Sequence, residues 1–167
     1  MRNTICLLLL TACFGYAQDV ASIENGKTFT YKSSPATVTE EQLLKKEDFK
    51  LSDGRMSVNS ITCKIQNYGN TNTILVSVVC QQQAFNLLGV DKINDMILVA
   101  NEKVRNSVQV EHQYNPTEIK MAYIPDSQDW SLTSSFTVQD EDGVVIERHL
   151  AIDFDVNGKF EVMKRIL

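Results

Sequence analysis

Two acidic turns near the C-terminal end of the chain constrain its fold more than any other feature. Residues 140–143 (Asp-Glu-Asp-Gly) and 155–158 (Asp-Val-Asn-Gly) each place an aspartate three positions before a glycine. This composition is typical of β-hairpin turns. Apolar and polar residues alternate in the runs that the turns separate. The pattern therefore predicts a three-stranded antiparallel meander over residues 130–167.

The length of each turn decides which side chains share a face, because a one-residue slip moves every side chain to the opposite face. A two-residue loop at the second turn would place Phe154 opposite Glu161. A three-residue loop, with its glycine in the left-handed conformation, places Phe154 opposite Phe160. The same loop length at the first turn places Trp130 opposite Phe154. We expect the longer loops, because they place the apolar residues of all three strands on one face. These residues are Trp130, Leu132, Phe136, Val138, Ile146, Leu150, Ile152, Phe154, Phe160 and Val162.

An apolar sheet face needs an apolar cover, and the best helical pattern lies at residues 91–105. Asp91 suits the N-terminal cap, and Arg105 falls in the last turn. Between them, apolar residues recur at spacings of three and four, as they do on one side of a helix: Ile93, Met96, Ile97, Ala100 and Val104. The predicted fold is α+β, with this main amphipathic helix packed on a curved antiparallel sheet.

Two cysteines, Cys63 and Cys80, lie in strand-like runs within residues 57–82. A polar loop at residues 67–72 separates these runs. Pairing the runs with Ile65 opposite Val78 places the two cysteines opposite each other, at a separation that a disulfide requires. The spacing therefore predicts a disulfide hairpin. A thiol metal site is disfavoured, because neither a C-x-x-C spacing nor a nearby histidine is present.

The first 17 residues have the charged start and short apolar run of a secretory signal peptide. Cleavage after Ala17 is one interpretation. In the other, residues 10–13 (Leu-Thr-Ala-Cys) resemble a bacterial lipobox, whose cysteine, Cys13, would be lipidated. Both predict an exported protein, located in the periplasm, at the cell surface or outside the cell. We expect membrane attachment only if Cys13 is lipidated, since no later stretch is long and apolar enough to be a transmembrane helix.

The rest of the chain divides into an N-terminal segment, residues 18–37, with an edge-strand pattern, and a single α+β domain, residues 38–167. The formal net charge is −5 at pH 7. No basic stripe is present to neutralise phosphates, so nucleic acid is not expected as a partner. No sequence motif points to a cofactor.

The second turn carries the one motif that suggests a metal. Asp153, Asp155 and Asn157 have the ligand spacing of the first half of an EF-hand loop. Lys164 stands where that loop has its bidentate glutamate, so Glu161 or another acid would have to complete the site. A plain hairpin turn explains the same residues, and both interpretations are kept.

Three functions are compatible with these observations. The first is a non-enzymatic binding domain for an unknown protein or small ligand, using the outer sheet face or an open end between helix and sheet. The second is a small hydrolase or metal-dependent enzyme using His149 and Asp153, because histidine changes charge near neutral pH. The third is a lipid-anchored structural component of an envelope complex.

Overall fold

The computed structural model of the chain describes residues 22–24, 27–29, 43–67, 70–108, 114–140 and 142–166. The chain divides into two units, residues 1–33 and 34–167. In the first unit, strands β1 (Ser22–Glu24) and β2 (Lys27–Phe29) pair antiparallel. The predicted signal peptide and Cys13 lie outside the described residues, so export and lipidation stay predictions.

The second unit contains a seven-stranded sheet and one long helix. The strands lie side by side in the order in which they occur along the chain. They are β3 (Lys50–Ser52), β4 (Arg55–Asn67), β5 (Asn70–Gln81), β6 (Asn115–Ile124), β7 (Asp129–Gln139), β8 (Val145–Phe154) and β9 (Phe160–Arg165). The helix α1 (Gln82–Ser107) connects β5 to β6 and packs on one face of the sheet, called here the inner face.

The prediction of an antiparallel sheet is wrong, because the sheet is mixed. Strands β5 and β6 pair in parallel, with Val76 opposite Ile119 and Val78 opposite Met121. All other neighbouring strands of this sheet pair antiparallel. The cause is the helix, since a long crossover carries the chain back to the end of the sheet where β5 began, and the next strand then runs in the same direction.

Helix α1 is longer than the predicted helix at residues 91–105. It is interrupted at Gly89, whose φ of 74° and ψ of 173° are not helical. The predicted apolar stripe lies wholly after this break, and all five of its side chains are buried. The helix before Gly89 escaped prediction because it buries only Ala84 and Phe85, too few for a clear period. Among the described residues, no helix combines the length and the apolar character needed to cross a membrane.

The C-terminal meander agrees in part with the prediction. Trp130 lies opposite Phe154, and Phe154 lies opposite Phe160, as the three-residue loops require. A bulge then follows in β9, where Val162 lies opposite Asp153 and Met163 lies opposite Ile152. The placement of Val162 on the apolar face is therefore wrong. Its side chain is 38% exposed, and Met163 packs against the core in its place.

The predicted disulfide is also wrong. Cys63 lies opposite Ile74 and Cys80 lies opposite Met56, and both thiols are free and buried. The register differs because Asn67 pairs with Asn70, whereas Cys63 opposite Cys80 would require a hairpin centred between residues 71 and 72. The six positions between Ile74 and Cys80 separate the two thiols by about 20 Å along the strands.

Candidate ligand-binding groove

A groove opens on the inner face of the sheet where helix α1 ends. The helix stops at Ser107, while the inner faces of β7, β8 and β9 continue past it. The groove has a volume of about 410 Å³. It is lined by Ser107, Val108, Phe136, Val138, Gln139, Asp140, Ile146, Arg148, Leu150 and Arg165. An open end between helix and sheet was one of the two binding surfaces suggested from the sequence, and binding at this one stays a prediction.

Apolar side chains form the wall of this groove. Phe136 is buried, with its ring 5.4 Å from the ring of Tyr114, centroid to centroid. Val138 and Ile146 lie directly opposite each other on β7 and β8, and both are half-buried, as is Leu150. These side chains belong to the inner face of the sheet, which α1 covers up to Ser107 but not beyond it. Part of their apolar surface therefore stays accessible to a ligand.

Two arginines share this inner face. Arg148 lies opposite Phe136, and Arg165 lies opposite Leu150. Since Arg148 and Leu150 are two residues apart on β8, the arginines are diagonal neighbours whose Cα atoms are about 7–8 Å apart. Both are exposed. Within the described part of the chain, neither makes an ion pair or a side-chain hydrogen bond. The groove thus combines an apolar wall with two guanidinium groups.

Asp140 is the only acidic residue among the described residues that line the groove. Its carboxylate is engaged in the first turn, where Oδ1 accepts the backbone N–H of Asp142 at 3.1 Å and of Val144 at 2.8 Å. The turn is closed by the Asp140 N–H, which donates to the Val144 carbonyl at 3.0 Å. The carboxylate keeps its negative charge but forms no ion pair with either arginine, so the described lining has two positive charges and one negative charge.

A chain of buried and half-buried amides holds the C-terminal half of α1 to the sheet at this end. Asn101 Oδ1 accepts from the Tyr114 hydroxyl at 3.0 Å, and Asn101 Nδ2 donates to Asn67 Oδ1 at 2.9 Å. Asn67 Nδ2 donates to Asn72 Oδ1 at 3.1 Å, and Asn72 Nδ2 to Asn115 Oδ1 at 3.0 Å. Buried amides require such partners. This chain explains why Asn67 and Asn72, which were expected in a loop, lie in strands.

The predicted metal residues have other partners. Asp153 accepts from the Ser131 hydroxyl at 3.1 Å and from Lys164 Nζ at 2.9 Å. The hydrogen bond from Lys164 to Asp153, together with the charge of that carboxylate, raises the pKa of Lys164. Asp153 is therefore part of an ion pair on the sheet.

Asp155 has a structural role in the second turn. Its Oδ1 accepts the backbone N–H groups of Asn157 and Lys159, both at 2.9 Å. Glu161 is the extra residue of the bulge in β9. Within the described residues, no group of three or more histidine, cysteine or acidic side chains could hold a metal ion. The metal interpretation of these residues stays a prediction.

His149 lies on the outer face of the sheet, opposite Ser135. Its Nδ1 is 2.9 Å from the Ser135 hydroxyl, and its Nε2 is 4.0 Å from Glu147 Oε1. Ser135 is in the middle of β7, between paired strands, where the ladder uses the backbone N–H groups that an oxyanion hole would need. Asp153 lies about 13 Å further along β8. The structure therefore keeps His149 and Asp153 apart, and the hydrolase hypothesis stays a prediction.

Arg148 and Arg165 were missed by the sequence analysis, although a signal was present. Arg148 stands between Ile146 and Leu150 in the alternation of β8, at a position where an apolar residue is expected. A charged residue on the apolar side of a strand indicates a place where the helix no longer covers the sheet.

Comparison of the chain with protein-family models, curated proteins and solved structures finds no match.

Proposed function

We propose that this protein is a non-enzymatic binding module that holds a ligand in the groove between the end of α1 and strands β7, β8 and β9. The observation that carries the proposal is the partly accessible apolar wall of Val138, Ile146 and Leu150 in a groove of about 410 Å³. Small-molecule sites have volumes of about 300–1,000 Å³ and mostly apolar linings with a few polar groups. The groove agrees with that description in size and in composition.

The lining supports binding over catalysis. A nucleophile needs a base within hydrogen-bond reach. The one lining hydroxyl, on Ser107, donates to the Val104 carbonyl at 2.7 Å, and the one lining carboxylate, on Asp140, is held by the turn. The described lining therefore offers apolar contact and positive charge without a nucleophile and base pair.

Fluorescence titration with Nile red, a neutral apolar dye, tests the proposal. We expect saturable binding with a blue-shifted emission. Val138→Trp should abolish it, because the larger side chain fills the groove. The matched control is Val145→Trp. Val145 is 65% exposed and does not line the groove, so this variant should bind the dye as the unmodified protein does.

Thermal melts of both variants must show that they stay folded. Binding of Nile red to folded Val138→Trp with unchanged affinity would place the dye elsewhere and contradict the proposal. A dye signal that never saturates would also contradict it.

A further inference from the structure

We infer that the ligand of this groove is an amphipathic anion, with a carboxylate or phosphate headgroup bound by Arg148 and Arg165 and an apolar tail on the wall beside them. The inference rests on the proposed function and adds the chemical class of the ligand. Its evidence is the position of two positive charges on an otherwise apolar face.

The charge distribution supports an anion. The whole chain has a formal net charge of −5, yet the described groove lining has two arginines and one acid, and that acid is committed to its turn. Two arginines on one face whose Cα atoms are only about 7–8 Å apart place like charges near each other, and these charges repel. No described acidic side chain forms an ion pair with either arginine, and Asp140 offsets only one of the two positive charges in the lining. A bound anion would remove the repulsion, and a cationic ligand would add to it.

Arginine also has the right chemistry for these headgroups. Each guanidinium presents N–H donors in a planar fork that matches the oxygens of a carboxylate or phosphate. Arg148 and Arg165 are diagonal neighbours on one face, so two forks can contact the same headgroup. Exposed arginines are common on protein surfaces. What sets this pair apart is the accessible apolar wall on the same face.

The cross-strand register places the tail. Val138 and Ile146 form the next inner-face pair after Phe136 and Arg148, about 7 Å further along the strands. A headgroup at the arginines therefore leaves the tail in contact with Val138 and Ile146, with Phe136 beneath it. The apolar part should contribute through burial, and the headgroup through charge-assisted hydrogen bonds.

Isothermal titration calorimetry with four probes tests this assignment. The probes are decanoate, decyl phosphate, decanol and inorganic phosphate, each below its micelle concentration. Decanoate and decyl phosphate should bind at least about tenfold more tightly than decanol, the factor expected from one charge-assisted contact. Inorganic phosphate should bind more weakly than decyl phosphate, because it lacks the tail. The two anionic probes distinguish a carboxylate from a phosphate ligand.

Arginine variants locate the headgroup. Arg148→Gln and Arg165→Gln should each weaken decanoate binding about tenfold and leave decanol binding unchanged. Arg55→Gln is the matched control. Arg55 is an exposed arginine at the start of β4, outside the groove lining, so its loss should change neither affinity.

The outcomes separate this inference from the proposed function. Equal affinity for decanol and decanoate, or unchanged decanoate binding in both glutamine variants, would overturn the anion assignment while the groove remained a binding site. Inorganic phosphate binding as tightly as decyl phosphate would overturn the role of the tail. If no ten-carbon probe binds and Nile red also fails to bind, both proposals are wrong.

Discussion

Phe154 and Phe160 meet edge to face across the β8–β9 hairpin, with ring centroids 6.1 Å apart and ring planes at 83°. Trp130 lies opposite Phe154 on the other side, and Lys103 Nζ of the helix lies 4.9 Å from the centroid of the Phe160 ring. The pair therefore joins β7, β8, β9 and α1. The turn between the two phenylalanines has to be tight for their rings to meet. The residues of that turn therefore affect the stability of the packing between the hairpin and the helix.

Asp155→Ala should destabilise the protein by about 1–3 kcal/mol, because the backbone N–H groups of Asn157 and Lys159 lose their charged acceptor. Urea unfolding measures the change. The control is Asp142→Ala in the other turn. The Asp142 carboxylate accepts no hydrogen bond within the described residues, and its backbone N–H is kept, so this change should stay within about 0.5 kcal/mol. Equal effects of the two substitutions would refute the role of Asp155.

Gly158→Ala should destabilise the protein more than Gly143→Ala. Both glycines have positive φ, 73° and 82°, so both substitutions carry a cost of about 1–2 kcal/mol for the left-handed conformation. A Cβ at Gly158 would also come within 2.8 Å of Met96 Sδ, whereas at Gly143 the nearest atom is Gln139 Nε2 at 3.4 Å. Because Met96 is buried, the clash adds about 1–3 kcal/mol.

The difference between the two glycine variants reports the contact between the second turn and the helix. Urea unfolding of both, under the same conditions, gives that difference directly. If the two variants lose the same stability, Gly158 does not pack against α1 at Met96, and the position of the turn described here is wrong.

Asn101→Ala should cost about 2–4 kcal/mol. Asn101 is fully buried, and its loss leaves the buried Asn67 Oδ1 without its donor and opens a small cavity. Asn115→Ala is the comparison, since Asn115 is the exposed end of the same amide chain; we expect less than about 1 kcal/mol there. A loss at position 101 no larger than that at position 115 would show that the buried amides do not hold the helix.

The two buried thiols should be unreactive in the folded protein. Burial, with a smaller effect of the Asp48 charge, raises the pKa of Cys63 from 9.0 to about 11. Burial alone raises that of Cys80 from 9.0 to about 11. The test uses a Cys6→Ser/Cys13→Ser variant, in which Cys63 and Cys80 are the two remaining thiols. At pH 8, the thiol reagent DTNB should react slowly with this native variant and release two equivalents after unfolding. Two fast-reacting thiols, or none after unfolding without reductant, would contradict this arrangement.

The raised pKa values of Cys63 and Cys80 also predict a loss of stability at alkaline pH. The unfolded chain ionises these thiols near pH 9, and the folded chain near pH 11. Their contribution to folding is therefore complete below pH 9 and is lost as the pH rises through 11. Urea unfolding from pH 8 to 11 measures this contribution. The free energy of unfolding of the unmodified protein is compared with that of the Cys63→Val/Cys80→Val variant at each pH. Parallel pH profiles would show that the thiols do not contribute to it.

The C-terminal meander could be predicted because its signals are local. Each loop length is set by the glycine that follows its aspartate by three residues, and each strand alternates over a few positions. The pairing of Phe154 with Phe160 follows from these short-range constraints. The bulge at Glu161 was not predictable in the same way, since it depends on Met163, and not Val162, filling the space against the core.

The prediction for the β4–β5 hairpin was wrong because its register depends on residues far apart in the chain. Residues 67–72 have the composition of a loop, and the prediction that paired Cys63 with Cys80 kept all six of them out of the strands. In the fold, Asn67 is a strand residue because Asn101, 34 positions away, donates to its amide oxygen. A hydrogen-bond partner so far along the chain cannot be predicted from the local sequence pattern.

By itself, the sequence determined the turns, the alternation of the C-terminal strands and the apolar stripe of the helix, because neighbours within a few residues decide each of them. The tertiary structure alone decided that β5 and β6 run in parallel, that the two cysteines stay apart, and that Arg148 and Arg165 share the inner face beside the end of α1. These features depend on where a 26-residue helix returns the chain to the sheet and where it stops covering it. Such distances become defined only when the elements pack.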